Sequence, residues 1–176
     1  MTLPNFSIMP GGFGGGASGG GIAPGHGGQS PNLQQSVRTL FRSGQKSTAG
    51  AGLQTLANFA VPGGTLAPDG QCIRITCAGH TGADGGTLNI LYGGTIVANV
   101  AVAGAAAFQI TLYIVRKAAG QQAVNTMSLV SGAALAGAET DTAKDETQAQ
   151  AVLWRASTGG ATPVLLDQCL AELLGS

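Results

Sequence analysis

Charge is what this sequence has least of. Charged residues make up 9% of its 176 positions, where a globular chain carries about a quarter. A lone soluble monomer relies on surface charge to stay dispersed, so a surface this poor in charge points to one covered by other subunits. Net charge is zero, which argues against a nucleic-acid partner, because phosphate binding needs clustered Lys and Arg. Long apolar runs are missing as well. No stretch approaches the roughly 20 continuous apolar residues of a membrane span, and the opening MTLPNFSIMPGG has neither the basic nor the apolar region of a signal peptide. The expectation is a chain that binds no membrane and is assembled in the cytoplasm where it is made.

Residues that carry chemistry are equally scarce. The two histidines, His26 and His80, lie far apart, and Cys72 and Cys77 sit at odd spacing on a predicted strand, so they face opposite ways and do not compose a zinc site. Three cysteines, an odd number without CxxC spacing, read as reduced, buried thiols. One Trp and two Tyr leave little for sugar stacking, and Trp154 reads as core. Gly16-Ala17-Ser18-Gly19-Gly20 spells GxSxG, but inside a glycine tract with no preceding strand to make a nucleophile turn. Ser43-Gly44-Gln45-Lys46-Ser47 lacks the upstream glycine of a phosphate loop. Asn5-Phe6-Ser7 is a formal sequon without a signal peptide. The acids around 139–146 lack the glycine and terminal glutamate of an EF-hand, so a solvated loop is favoured over a calcium site. An enzyme is the disfavoured class, and no cofactor is implied.

What is abundant is glycine, 30 residues against about 12 in an average chain of this length. Residues 1–29 concentrate it in GGFGGGASGGG and GHGGQ. Glycine loses the most conformational entropy on ordering, so this segment cannot fold alone. It is a linker or a strap ordered in a partner's groove. The spaced Phe6, Ile8, Phe13 and Ile22 favour the strap, since a linker needs no hydrophobes. Residues 30–44 then predict a short helix, with Ser30 as N-cap, Pro31 at the first position and Gly44 beyond the end. Leu33, Val37, Leu40 and Phe41 would share one face, with Arg38 and Arg42 near the C-terminal end, where the helix dipole favours cations. This helix either packs on its own domain or docks on a neighbour. Residues 30–52, with the connector QKSTAGAG, join the arm to a domain at 53–176. Residues 1–52 hold Arg38, Arg42 and Lys46 and no acid, and the remainder holds five basic and eight acidic residues, which suits a basic arm on an acidic neighbour.

From Leu53 the pattern changes to period two. Eight strands are expected: 53–61, 71–79, 86–92, 95–103, 107–117, 121–131, 149–156 and 163–173. Phe108, Ile110, Leu112 and Ile114 share one face, as do Leu88, Ile90 and Tyr92, and Gly93-Gly94 marks a hairpin. Eight short strands with close turns predict an all-β, jelly-roll-like β-sandwich. Residues 132–148, which gather Glu139, Asp141, Asp145 and Glu146, read as a long solvated loop.

The stretch Leu53-Gln54-Thr55-Leu56, Val61-Pro62-Gly63-Gly64-Thr65-Leu66, Asp69-Gly70-Gln71-Cys72-Ile73-Arg74-Ile75 and Leu91-Tyr92-Gly93-Gly94-Thr95, closing with Asp167-Gln168-Cys169-Leu170, resembles a small β-sandwich module of tailed-bacteriophage structural proteins. The resemblance covers roughly two-thirds of the chain and leaves out the arm. It implies a virion role as a capsid decoration (cement) protein, head fibre, or tail-fibre or tail-spike module, often trimeric, with no catalytic residues. The partners would be the major capsid protein or tail proteins, with the chain itself a homo-oligomer, trimer favoured. A capsid decoration protein leads, because the chain ends soon after its last strand. A fibre-base component comes second, and a host-surface carbohydrate-binding module using Trp154 and Tyr92 third.

Overall fold

The alternation is realised as antiparallel strands in a computed structural model, which describes residues 37–50 and 52–175. The strands are β1 (Val37–Ser43), β2 (Lys46–Ser47), β3 (Gln54–Val61), β4 (Cys72–Thr81), β5 (Gly86–Tyr92), β6 (Thr95–Val102), β7 (Ala107–Ala118), β8 (Gln121–Val130), β9 (Ala133–Thr142), β10 (Gln150–Thr158) and β11 (Val164–Leu174). They form two sheets. Sheet A runs β1-β11-β4-β7-β8-β9, with β2 also on β11, and sheet B runs β3-β10-β5-β6.

The order follows from a folded ribbon. β1 pairs with β11, β3 with β10, β4 with β7 and β5 with β6, so the first strand meets the last and each later pair nests inside. That is the winding of a jelly-roll-like sandwich. The β8–β9 hairpin widens sheet A beyond β7.

Inward positions alternate as expected. Ile73, Ile75, Ile110, Leu112 and Ile114 of sheet A face Leu88, Ile90, Tyr92, Val152 and Trp154 of sheet B, all 0–1% exposed. Fully burying one such side chain is worth about 1.5–3 kcal/mol. A one-residue slip of β4 would turn Arg74 and Thr76 into this layer, so burial fixes the register. Gly93-Gly94 makes the β5–β6 turn with both φ positive, 53° and 82°, the geometry of a two-residue hairpin.

Three expectations are corrected. The predicted helix over 30–44 is a strand at Val37–Ser43, followed by Gly44 outside any element, and its earlier residues lie outside the described part. The i, i+4 pattern is there, but β11 offers an open edge, and Phe41 stacks on Phe59 of β3 with centroids 4.4 Å apart. Tertiary pairing outweighs the weak local preference, which Val37 and Thr39 already tilt toward strand. The solvated loop over 132–148 is, for most of its length, the edge strand β9. Its signal was Ser131-Gly132, whose φ values of 49° and 80° make a second two-residue hairpin. The three thiols are not all reduced. Antiparallel register sets Cys77 opposite Cys169, where they form a disulfide, and an odd count leaves only Cys72 free.

Candidate functional site

The residues expected to anchor the chain divide into three groups. Phe6, Ile8, Phe13, Ile22 and Leu33 lie outside the described residues. Leu40 and Phe41 are partly buried against the domain's own core, where they help hold β1 to the sandwich. Val37, Arg38 and Arg42 are exposed. With Lys46 of β2, also exposed, the last two make this edge of sheet A basic.

The opposite edge is acidic. Glu139 and Asp141 on β9 share one cation, Lys117 of β7, at 3.0 and 2.7 Å. Hydrogen bonds to Asp141 and then Glu139 hold the Lys117 ammonium above its ordinary range. Sequence reasoning placed these acids in a loop and missed their partner, because the pairing crosses from β7 over β8 and has no local signature.

One end of the sandwich is tied by ions. Arg116, at the end of β7, reaches Asp69 at 2.6 Å and Glu146 at 3.0 Å. Glu146 also accepts the Gly120 N–H at 2.6 Å. The buried Gln122 amide donates to the Lys144 carbonyl and accepts the Lys144 N–H, while the Lys144 ammonium caps the Gly93 carbonyl and Thr95 hydroxyl. At the other end, Asp84 accepts both the N–H and the hydroxyl of Thr162 at 2.8 Å. These networks join turns to turns. They shape the ends of the sandwich, and among the described residues their acids are taken up in these contacts.

Their charge has a pH consequence. The Thr162 N–H and hydroxyl hold Asp84 below the usual carboxylate range, and the Thr147 hydroxyl and N–H do the same for Asp145. For Glu146, partial burial pulls upward, but the Gly120 N–H and Arg116 prevail and its carboxyl is lowered. A carboxyl depressed by folding stabilises the native state above its unfolded pKa, and that contribution is lost as pH falls through the folded value. Resistance to urea should therefore hold level from pH 7 to about 5 and fall below about pH 4. The acid limb should be shallower in Glu146→Gln, and an identical limb would remove Glu146 from the account.

The other candidates resolve simply. Trp154 and Tyr92 are each 1% exposed, so neither can stack on a sugar, and burial pushes the Tyr92 hydroxyl up to about 12. His80 contacts Asp167 at 3.1 Å on the surface. Burial raises the Cys72 thiol, with Arg74 opposing. Among the described residues no three His, Cys, Asp or Glu side chains gather to hold a metal. No helix there is long and apolar enough to cross a membrane. The GxSxG tract lies outside the described residues. A groove of about 430 Å³ on the outer face of sheet A is lined by neutral side chains, Gln109, Thr111, Tyr113, Met127 and Leu129 among them.

No protein-family model matches the chain, and neither does any curated protein. Among solved structures it is similar to one titled "Structure of infectious bursal disease virus Gx strain", at 16% identity and a TM-score of 0.34. The match covers 80% of this chain and 32% of that one, so the chain spans about a third of the viral protein's length. A likeness this weak and partial carries no argument. What the site does carry is a surface of edges and neutral faces.

Proposed function

We propose that this chain is a structural protein of a tailed-bacteriophage virion, a capsid decoration protein held to the particle by its N-terminal arm. The observation that carries the reading is the edge strand that follows the arm in the sequence. The glycine-rich residues 1–29 lead toward β1, which is laddered along β11 from Val37↔Leu174 to Ser43↔Cys169 and fastened by Phe41 on Phe59. An arm attached through an edge strand passes its load to the sheet through a row of hydrogen bonds, whereas a bare linker hands it to a single backbone bond. The faces support the same reading. The four strands of sheet B carry one charged residue, Arg155, so the outer surface that they present is nearly neutral, as suits packing against other subunits.

Deleting residues 1–29 should abolish association with particles and leave the circular dichroism and melting of the domain unchanged. Full retention of particle binding by the deleted chain would overturn the arm as anchor. Antibody to the sandwich, applied to intact particles, separates the sub-readings. Label over the head supports decoration, label at the tail supports a fibre-base component, and unlabelled particles count against a virion protein.

A further inference from the structure

We infer that sheet A is a head-to-tail assembly element, with the β1 edge of one copy meeting the β9 edge of a second copy of this chain. Both ends of sheet A are strand edges. Among the described residues nothing pairs with the outer side of β1 or of β9. An open edge exposes a row of backbone N–H and C=O groups that another strand can match, and proteins that stay monomeric blunt such edges with proline, charged side chains, bulges or cover; β1 has a bulge between Thr39 and Phe41, with regular pairing on either side of it. Neither strand contains proline, and the first half of β9, Ala133-Ala134-Leu135-Ala136-Gly137, has no charge.

The two edges differ in sign. From Val37 to Ser47 the chain holds Arg38, Arg42 and Lys46 and no acid, while β9 holds Glu139 and Asp141 and no base. Lys117 neutralises only one of those two carboxylates, and Asp141 keeps 73% of its side chain exposed. Five inter-strand spacings separate the edges, about 24 Å, more than twice the screening length of about 8 Å at physiological salt. The two charges cannot satisfy one another within one copy.

The sign difference also selects the symmetry. A two-fold contact would set β1 against β1 or β9 against β9 and oppose like charges, which is unfavourable in paired strands. Pairing β1 with β9 sets Arg42 on the same outer face as Glu139 and Asp141, while Arg38, opposite the core residue Leu173, adds to the positive charge of the edge. Such a heterologous contact repeats from copy to copy and closes into a ring when its rotation permits. The inference concerns the purified chain alone and stands independently of the virion reading.

The full-length chain tests it by analytical ultracentrifugation across concentration at 50 and 500 mM NaCl. Oligomers are expected at low salt, with a dissociation constant at least about tenfold weaker at high salt. Arg38→Glu/Arg42→Glu and Glu139→Lys/Asp141→Lys should each weaken assembly about tenfold or more. An equimolar mixture of the two should assemble again, because each supplies the edge the other lost. A chain monomeric at every concentration in low salt overturns the inference, as does assembly that survives both reversals or a mixture that stays apart. Circular dichroism checks that each variant folds. Where a reversal does not, the neutral pairs Arg38→Gln/Arg42→Gln and Glu139→Gln/Asp141→Asn are read instead, and unchanged assembly in both of them counts against it.

Discussion

Replacing Trp154 with alanine should lower the unfolding free energy by about 3–5 kcal/mol. Trp154 sits on β10, opposite Ile90 of β5 on one side and Ala57 of β3 on the other, and is 1% exposed at the middle of sheet B. The inner faces of a sandwich are about 10 Å apart, and a residue this large fills much of that distance alone. Its neighbours belong to laddered strands that cannot close over the space left behind, so transfer and cavity terms both apply. Its indole N–H meets no acceptor among the described residues, hence Trp154→Phe forfeits volume without a hydrogen bond and should cost well under half as much. Urea titration of the three proteins reads both differences. A loss below about 1 kcal/mol for the alanine variant would mean that the two sheets are not packed as described.

Gly79→Ala should cost about 3 kcal/mol, toward the upper end of the usual penalty for overfilling a core. Gly79 lies in β4 between β11 and β7, opposite Leu166 and Phe108. A methyl group there would overlap the Leu165 carbonyl oxygen and come within 2.7 Å of the Phe108 ring. The ring can turn. The carbonyl cannot, because it belongs to a buried central strand whose register is already shifted between Leu166 and Gln168. Gly44→Ala is the matched control, since an added methyl meets nothing within 4 Å and no positive φ is required. There alanine should be neutral or stabilise by up to about 1 kcal/mol through the unfolded chain. Equal effects at the two positions would refute the close approach of β4 and β11.

Strands were legible wherever burial on one face wrote an alternation into the sequence. Phe108-Gln109-Ile110-Thr111-Leu112 has to alternate because the residues between must leave the core, and the expected 107–117 became Ala107–Ala118. Edge strands escape that pressure. β9 is exposed at nearly every described side chain, so alanine, glycine and acids serve there as well as any residue, and only its hairpin could have announced it. β1 misled for another reason. Its apolar residues answer to two neighbours, with Phe41 turned to Phe59 and Val37 left in solvent, and a bulge between Thr39 and Phe41 breaks the period. The ion pairs were illegible throughout. Arg116 is 47 residues from Asp69 and 30 from Glu146, and only the nested winding brings them together.

That winding has a consequence for synthesis. β11 lies between β1 and β4 in sheet A, yet it is translated after the other ten described strands. Until residues 164–174 have cleared the ribosome, β4 has one open side and β1 has no partner in the sheet. Small domains dominated by such distant pairings fold in milliseconds to seconds, whereas translation proceeds at about 5–20 residues per second. The nascent chain therefore waits longer for β11 than it needs to fold once that strand arrives. Truncated products that end before Val164 would present the bare β4 edge to one another, making early termination a greater aggregation hazard than any delay in folding the full chain.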